Sequence, residues 1–207
     1  MKVKCAIRRY AGLVWFPLLS LILATTIAVD NQHVFNNPES SMHVYLKSLT
    51  RGNAGFGLQG YYKNNISFAG LEEGDILLGG YPHCAYGRFS HAAMYIGNGQ
   101  VIECYIDLGI TVQPIIHYRD YSEVCLLRVK ADPAIKRKAV DYIKKFRGGM
   151  FYPLAFKSGD RIWNCTKIIW RAYYEQGLDL DQAGDFWVTP DSFYYSCYTE
   201  VIREKGR

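Results

Sequence analysis

The sequence predicts an α+β fold in which five to six short strands form a mainly antiparallel sheet. Strand-like runs follow one another between residues 74 and 130, the two longest helix-like segments after residue 72 come later, and a last short run closes the chain at 198–204. Strands grouped in sequence and followed by helices are typical of α+β domains, with the helices packed on the sheet.

The strand predictions rest on short apolar runs rich in β-branched and aromatic residues, separated by Gly, Asn or Asp. The runs are GDILLGGY (74–81), HAAMYIG (91–97), QVIECYI (100–106), ITVQPII (110–116) and EVCLLRVK (123–130).

Two helices are predicted after these runs. Asp132 is a suitable N-cap and Pro133 a suitable first residue for a helix that runs to Arg147 and stops at two glycines. A second helix begins near Asn164 and ends at Gly177.

The first thirty residues have the pattern of a targeting segment. Basic residues precede an apolar run at 11–29, and small residues at Thr26 and Ala28 suit cleavage by a signal peptidase. We predict that residues 1–28 are a signal peptide; the alternative is an uncleaved anchor that attaches to a membrane through residues 10–29. Either reading predicts export to the periplasm, the cell envelope or the medium.

The rest of the chain divides into two parts. Residues 29–71 are rich in Asn, Ser and Gly, contain one short helix-like piece at 41–50, and are predicted to be an N-terminal extension packed on the main domain or leading into it. Residues 72–207 form the predicted main domain.

Composition excludes some classes of function. The 207 residues carry a net charge of only +5, and no basic stripe with interleaved aromatics suggests nucleic-acid binding. No CxxC pair occurs, and no second close pair completes a metal site with His83, Cys84 and His91. We therefore expect neither a metal nor an organic cofactor.

Five cysteines remain once residues 1–28 are removed. An odd number leaves at least one thiol unpaired in an oxidising compartment, and up to two disulfides are compatible with the sequence. These cysteines are Cys84, Cys104, Cys125, Cys165 and Cys197.

His91 and Glu103 lie on the two strands of a predicted hairpin whose turn spans 97–99. A two-residue turn would put the two side chains on opposite faces, whereas a three-residue loop pairs Ala93 with Glu103 and puts both on one face. We favour the three-residue loop because it also gathers the apolar side chains on the core-facing side. A histidine and a glutamate at strand ends are often structural, so the hairpin alone does not establish catalysis.

Cys165 falls in the first turn of the second helix, where Asn164 is a plausible N-cap. The positive end of the helix dipole favours a thiolate there, and free backbone N–H groups can hold an oxyanion. A cysteine on a core helix is also a common small apolar residue.

Taken together, these segments resemble the permuted branch of the NlpC-type, papain-like superfamily, most closely its YiiX/YaeF/YebB-like cysteine hydrolases. The resemblance covers roughly residues 72 to 195. Its elements are GDIL (74–77), SHAAMYIGNGQVIE (90–103), NCTKIIWRAY (164–173) and TPDSF (189–193). It implies a circularly permuted papain-like fold with Cys165 as nucleophile, His91 as base and Glu103, twelve positions after that histidine, as the residue that orients it.

A second permuted branch, the lecithin:retinol acyltransferase-like enzymes, is also similar, because its signature contains the Asn164-Cys165 pair. That branch usually carries His where this chain has Glu103, which favours the YiiX-like side.

The resemblance implies an exported thiol hydrolase that cleaves amide bonds through an acyl-enzyme, with bacterial cell-wall peptide material as substrate. Lipid or protein acyl-ester or thioester hydrolysis, acyl transfer, and a catalytically inactive envelope binding module are the alternatives. Asn164 is expected to support the oxyanion site. Tyr95, Tyr105 and Tyr152 are candidate pocket residues.

Overall fold

The computed structural model describes residues 2–38 and 40–206, and these contain a six-stranded antiparallel sheet. The strand order is β4-β3-β2-β1-β5-β6, and every neighbouring pair is antiparallel. The predicted α+β class is therefore confirmed. The strands are β1 (Ile76–Gly80), β2 (His91–Tyr95), β3 (Gln100–Tyr105), β4 (Gly109–Pro114), β5 (Glu123–Val129) and β6 (Thr199–Lys205).

The predicted helices are present, with differences at their ends. The two that follow the first five strands stop at Lys144 and Tyr174, before the predicted ends at Arg147 and Gly177, because the residues that follow form tight turns. The helices are α1 (Lys2–Asp30), α2 (Gln32–Asn36), α3 (Ser41–Leu49), α4 (Pro133–Lys144), α5 (Cys165–Tyr174) and α6 (Pro190–Tyr195).

Three elements differ from the sequence predictions. One of them is α2 (Gln32–Asn36), which was not predicted. The run at 110–116 was expected to be extended throughout, but β4 ends at Pro114 and a 3₁₀ turn follows at Ile115–Asp120. α6 was not predicted; Pro190 occupies its first turn, and Thr189 and Ser192 form a capping box at its start.

The β2–β3 hairpin has the register that a three-residue loop requires. Ala93 is opposite Glu103, Met94 opposite Ile102 and Tyr95 opposite Val101. The loop at 97–99 has positive φ angles at all three residues, conformations that Gly and Asn tolerate best. The predicted register is confirmed.

One face of the sheet is covered by α4, α5 and α6. The apolar stripe of α5 is fully buried there, against the core-facing side of the hairpin. Burying side chains of this size stabilises the fold by about 1.5–3 kcal/mol each, which fixes α5 against the sheet. The stripe consists of Ile168, Ile169, Ala172 and Tyr173, and it meets Ala92, Met94, Ile102 and Cys104.

The opposite face is covered by the 3₁₀ turn and by part of the N-terminal extension. Ile66 is buried in a second apolar cluster with Tyr118 and Tyr121. Elsewhere the extension is tied to the rest of the chain by Ser41, whose N and Oγ both donate to Asp185. The extension therefore packs on the rest of the chain.

The apolar side chains described along α1 lie on its surface. Those from Val14 to Val29 include several that are more than half exposed. None of the helices in the described part of the chain combines the length and the apolar character that crossing a membrane requires.

Candidate active site

Cys165 is the first residue of α5, and the sequence just before it explains why the helix starts there. The side chain of Asn164 accepts a hydrogen bond from the backbone N–H of Lys167 at 2.7 Å, which is N-cap geometry. The Cys165 side chain is partly exposed. The helix thus begins with an accessible sulfur at its positive end.

His91 begins β2, and its ring meets Glu103 from β3. His91 Nε2 lies 2.8 Å from Glu103 Oε2. Because a carboxylate only accepts, Nε2 carries the proton in this contact, and Nδ1 is left as the second functional nitrogen.

The Cys165 side chain is close enough to the His91 ring for the two groups to interact. Since Nε2 is taken by Glu103, Nδ1 is the nitrogen that remains for the sulfur. Burial by itself would lower the pKa of His91, but the charge and hydrogen bond of Cys165, together with Glu103, outweigh it and raise that pKa to about 10. The site therefore favours the protonated form of His91.

Glu103 is completely buried between two histidines. His117, in the 3₁₀ turn, places Nε2 at 3.2 Å from Glu103 Oε1, on the side of the carboxylate away from His91. Burial tends to raise the pKa of Glu103, but the contacts with His117 and His91 outweigh it and hold that pKa below its usual value. The carboxylate is therefore ionised at neutral pH.

Tyrosine rings surround His91. The ring of Tyr105 is stacked on it with centroids 4.5 Å apart, and Tyr121 lies parallel at 6.2 Å. Tyr118 is tilted at 6.3 Å. Burial raises the pKa of Tyr121 well above its ordinary value, so this phenol stays neutral.

The loop that leads into His91 is held by Asp191 at the start of α6. Its carboxylate accepts from the backbone N–H groups of Arg88 at 2.7 Å and Phe89 at 2.9 Å. A Cβ added at Gly87 would come within 2.3 Å of this carboxylate, so glycine is required there. Burial raises the pKa of Asp191 to about 6, although the two N–H contacts oppose that rise.

The other predicted site residues lie in different places. Tyr105 is on the His91 ring, but Tyr95 is four residues further along β2, about 13 Å away along the strand. Its hydroxyl accepts from Gly99 N in the turn, so it is not brought to His91. Tyr152 is exposed on the loop before α5. The side-chain oxygen of Asn164 is occupied in capping the helix.

The remaining four of the five cysteines differ from Cys165 in their surroundings. Cys84, Cys104 and Cys125 are buried, and burial raises the pKa of Cys84 and Cys125 to about 12 and that of Cys104 further. Cys197 is exposed, and all five thiols are free. Within residues 2–38 and 40–206, no group of three or more His, Cys, Asp or Glu side chains is arranged to hold a metal ion.

A cleft of about 740 Å³ lies between α3 and the loop that joins β1 to β2. Lys47, Arg51 and His83 are among its lining residues. Cys84 also lines it and is close enough to Cys165 for the two to interact electrostatically.

His117 was not among the predicted site residues, and Asp191 had no predicted role. His117 was hidden by the expectation that the strand runs to residue 116, although Pro114 was a signal for its end, since proline has no N–H to donate to a sheet. Asp191 belongs to the TPDSF segment, but nothing in the sequence pairs it with the loop at 87–89.

Comparison with known proteins supports the fold. No protein-family model matches the chain, and no curated protein matches it. Among solved structures, the chain is similar to the metalloprotein yiiX from Escherichia coli O157:H7 (DUF1105), with a TM-score of 0.53 and 12% sequence identity over 73% of this chain and 99% of that one. The expected YiiX-like fold is confirmed; at this identity the similarity concerns the fold alone.

Proposed function

We propose that this chain is a cysteine hydrolase of the permuted papain-like, YiiX-like type. The observation that supports it most is the position of one imidazole, which contacts the Cys165 sulfur on one side and the Glu103 carboxylate on the other. A nucleophile next to a base, itself oriented by a third group, is the arrangement that acyl-transfer enzymes share on unrelated folds.

In the proposed reaction, His91 already holds on Nδ1 the proton given up by Cys165, and the Cys165 thiolate attacks the carbonyl carbon of an amide. The N–H of Cys165 helps to hold the oxyanion. His91 gives its proton to the leaving amine, and a thioester links the acyl group to Cys165. His91 then takes a proton from water, the hydroxide attacks the thioester, and the acid leaves as the thiol is restored.

The surroundings of the two groups support these roles. Cys165 is partly exposed, whereas three of the other four thiols are buried with raised pKa values. Asn164 acts in this scheme by fixing the start of α5, so that the N–H of Cys165 points toward the reacting carbonyl.

We further propose that the substrate is cell-wall peptide material outside the cytoplasm. The basic start of the chain, its apolar run at 11–29 and the exposed apolar side chains of α1 support a signal peptide at 1–28. Residues 29–71 are then an extension of the mature protein, and 72–207 the catalytic domain.

The yiiX protein is described as a metalloprotein, whereas the described residues of this chain contain no group of three or more His, Cys, Asp or Glu side chains that could hold a metal ion. His91 Nε2 faces Glu103 Oε2, and His117 Nε2 faces Glu103 Oε1. The other ring nitrogen of His117, Nδ1, faces a carbonyl oxygen. The residues of this site do not fit a metal, and the proposed mechanism has no step through one.

Mass spectrometry of the chain incubated with a p-nitrophenyl ester tests the proposal. We expect an acyl adduct on the peptide that contains Cys165, release of nitrophenol, and loss of both in Cys165→Ser, while Cys197→Ser behaves as wild type. An amine acceptor that collects the acyl group would indicate a transferase instead. Absence of any adduct on Cys165 would contradict catalysis and favour a binding module.

A further inference from the structure

A second histidine, His117, faces the Glu103 carboxylate oxygen that His91 does not contact. His117 Nε2 is 3.2 Å from Oε1, while His91 Nε2 is 2.8 Å from Oε2. Both Glu103 Oε1 and His117 Nε2 are buried, and within the described part of the chain neither makes a hydrogen bond of good geometry, so the two atoms meet as an ion pair. One carboxylate is thus held between two imidazole rings.

The other nitrogen of His117 defines its protonation state. Nδ1 lies 2.6 Å from the carbonyl oxygen of Pro114, which can only accept, so Nδ1 carries a proton. A neutral ring would then turn the lone pair of Nε2 toward an ionised carboxylate oxygen, which is repulsive. His117 is therefore an imidazolium when Glu103 is ionised.

The charges around His117 agree with this assignment. Burial lowers the pKa of His117, but the contact with Glu103 and the Pro114 carbonyl outweigh it, so that pKa is raised overall. The titratable groups that face the ring are Glu103 and Tyr105 from β3, His91 from β2, and Tyr118 from the same 3₁₀ turn.

An imidazolium at this position balances the charge of the site. With Cys165 as thiolate and His91 as imidazolium, the buried carboxylate leaves one negative charge in excess, and His117 neutralises it. Because Glu103 is fully buried, loss of this partner would make its ionised form harder to maintain.

We propose that His117 is a positioning residue that keeps the Glu103 carboxylate ionised and aimed at His91. It acts through Glu103 and does not touch the substrate. The proposal rests on the proposed function, and it extends the three-residue site predicted from sequence to a fourth side chain.

The test is the rate at which iodoacetamide alkylates Cys165, measured by peptide mass spectrometry from about pH 5 to pH 9. In His117→Phe we expect the rate at neutral pH to fall about tenfold, the effect of losing one charge-assisted contact. The acid limb should also move to higher pH, because Glu103 then takes up a proton more easily. His117→Gln keeps an N–H donor without the charge, so its alkylation rate should lie between those of wild type and His117→Phe.

A double-mutant comparison separates action through Glu103 from a general effect on the fold. In a Glu103→Gln background, His117→Phe should cause no further loss of the Cys165 alkylation rate. The control is His33→Gln, a change at an exposed histidine on α2, whose alkylation rate should match that of wild type at every pH. Thermal unfolding checks each variant, and if His117→Phe does not fold, His117→Gln alone makes the comparison.

Two results would overturn the proposal. One is a pH profile of alkylation in the His117 variants that matches wild type. The other is a loss of alkylation rate on His117→Phe that is as large in the Glu103→Gln background as in wild type. If wild type itself is alkylated no faster than His91→Ala, it is the proposed function that fails.

Discussion

The imidazole of His91 lies face to face with the phenol ring of Tyr105, with centroids 4.5 Å apart and 12° between the ring planes. The two residues are neighbours across the β2–β3 hairpin, one at the start of a strand and the other at the end of its partner. Stacking fixes the tilt of the imidazole, and the electron-rich face of a phenol stabilises a cation beside it. The hairpin register therefore supports His91 in two ways, through Glu103 and through Tyr105.

Replacing Tyr105 by Leu should slow alkylation of Cys165 at neutral pH by roughly twofold to tenfold, the value of one aromatic stack. Tyr105→Phe keeps the ring and loses only the hydroxyl contact with Tyr121, 3.3 Å away, so it should retain most of the wild-type rate. Equal rates in Tyr105→Leu and wild type would show that the stack does not support the imidazolium.

Replacing Asn164 by Ala should cost about 1 kcal/mol of folding free energy, the usual value of an N-cap. It should also slow alkylation of Cys165, because the start of α5 would fray. Urea unfolding and alkylation rates on the same samples measure both effects.

Asp132→Ala is the matched control, since Asp132 caps α4 through Ala134 N at 2.7 Å and is remote in sequence from the site. We expect a similar loss of stability with an unchanged alkylation rate. If both variants slowed alkylation equally, the cap of α5 would have no particular role in the site.

Asp191 should make the stability of wild type fall as the pH rises. Its pKa is about 6 in the folded chain, above the ordinary value of 3.8, so the folded state binds the proton more tightly. The stability from this group is therefore present below pH 3.8 and lost as the pH rises to about 6. Asp191→Asn cannot ionise, so wild type should lose stability relative to this variant across that window.

Urea unfolding of both proteins from pH 4 to pH 7 measures this difference. The control is Asp107→Asn, a change at an exposed aspartate. Its free energy of unfolding should differ from that of wild type by the same amount at every pH. A constant difference for Asp191→Asn as well would contradict the assignment.

Much of the fold and the positions of three candidate site residues followed from local patterns, whereas the roles of those residues were implied by the resemblance to a known family. The glycines at 97 and 99 predict the loop length, and the loop length fixes the register that brings Glu103 onto the same face as His91. The start of α5 was predicted in the same way, because Asn164 is a good N-cap. Patterns within a few residues are enough for such features.

Contacts between distant segments could not be predicted in this way. The carboxylate of Asp191 reaches the loop before His91 from about a hundred residues further along the chain. His117 depends on where β4 ends, and the apolar run ITVQPII favoured a strand past Pro114. Tyr95 was expected near the pocket, but its position four residues along β2 sends it to the turn.

The pH dependence of Cys165 alkylation in wild type and in His91→Ala tests the central claim most directly. Because the pKa of His91 is raised to about 10, the thiolate–imidazolium pair should keep wild type reactive at pH 6.5. At that pH, alkylation of His91→Ala should be at least about tenfold slower. The variant should gain reactivity only as the pH rises, like an ordinary thiol. Identical profiles for the two proteins would contradict the account.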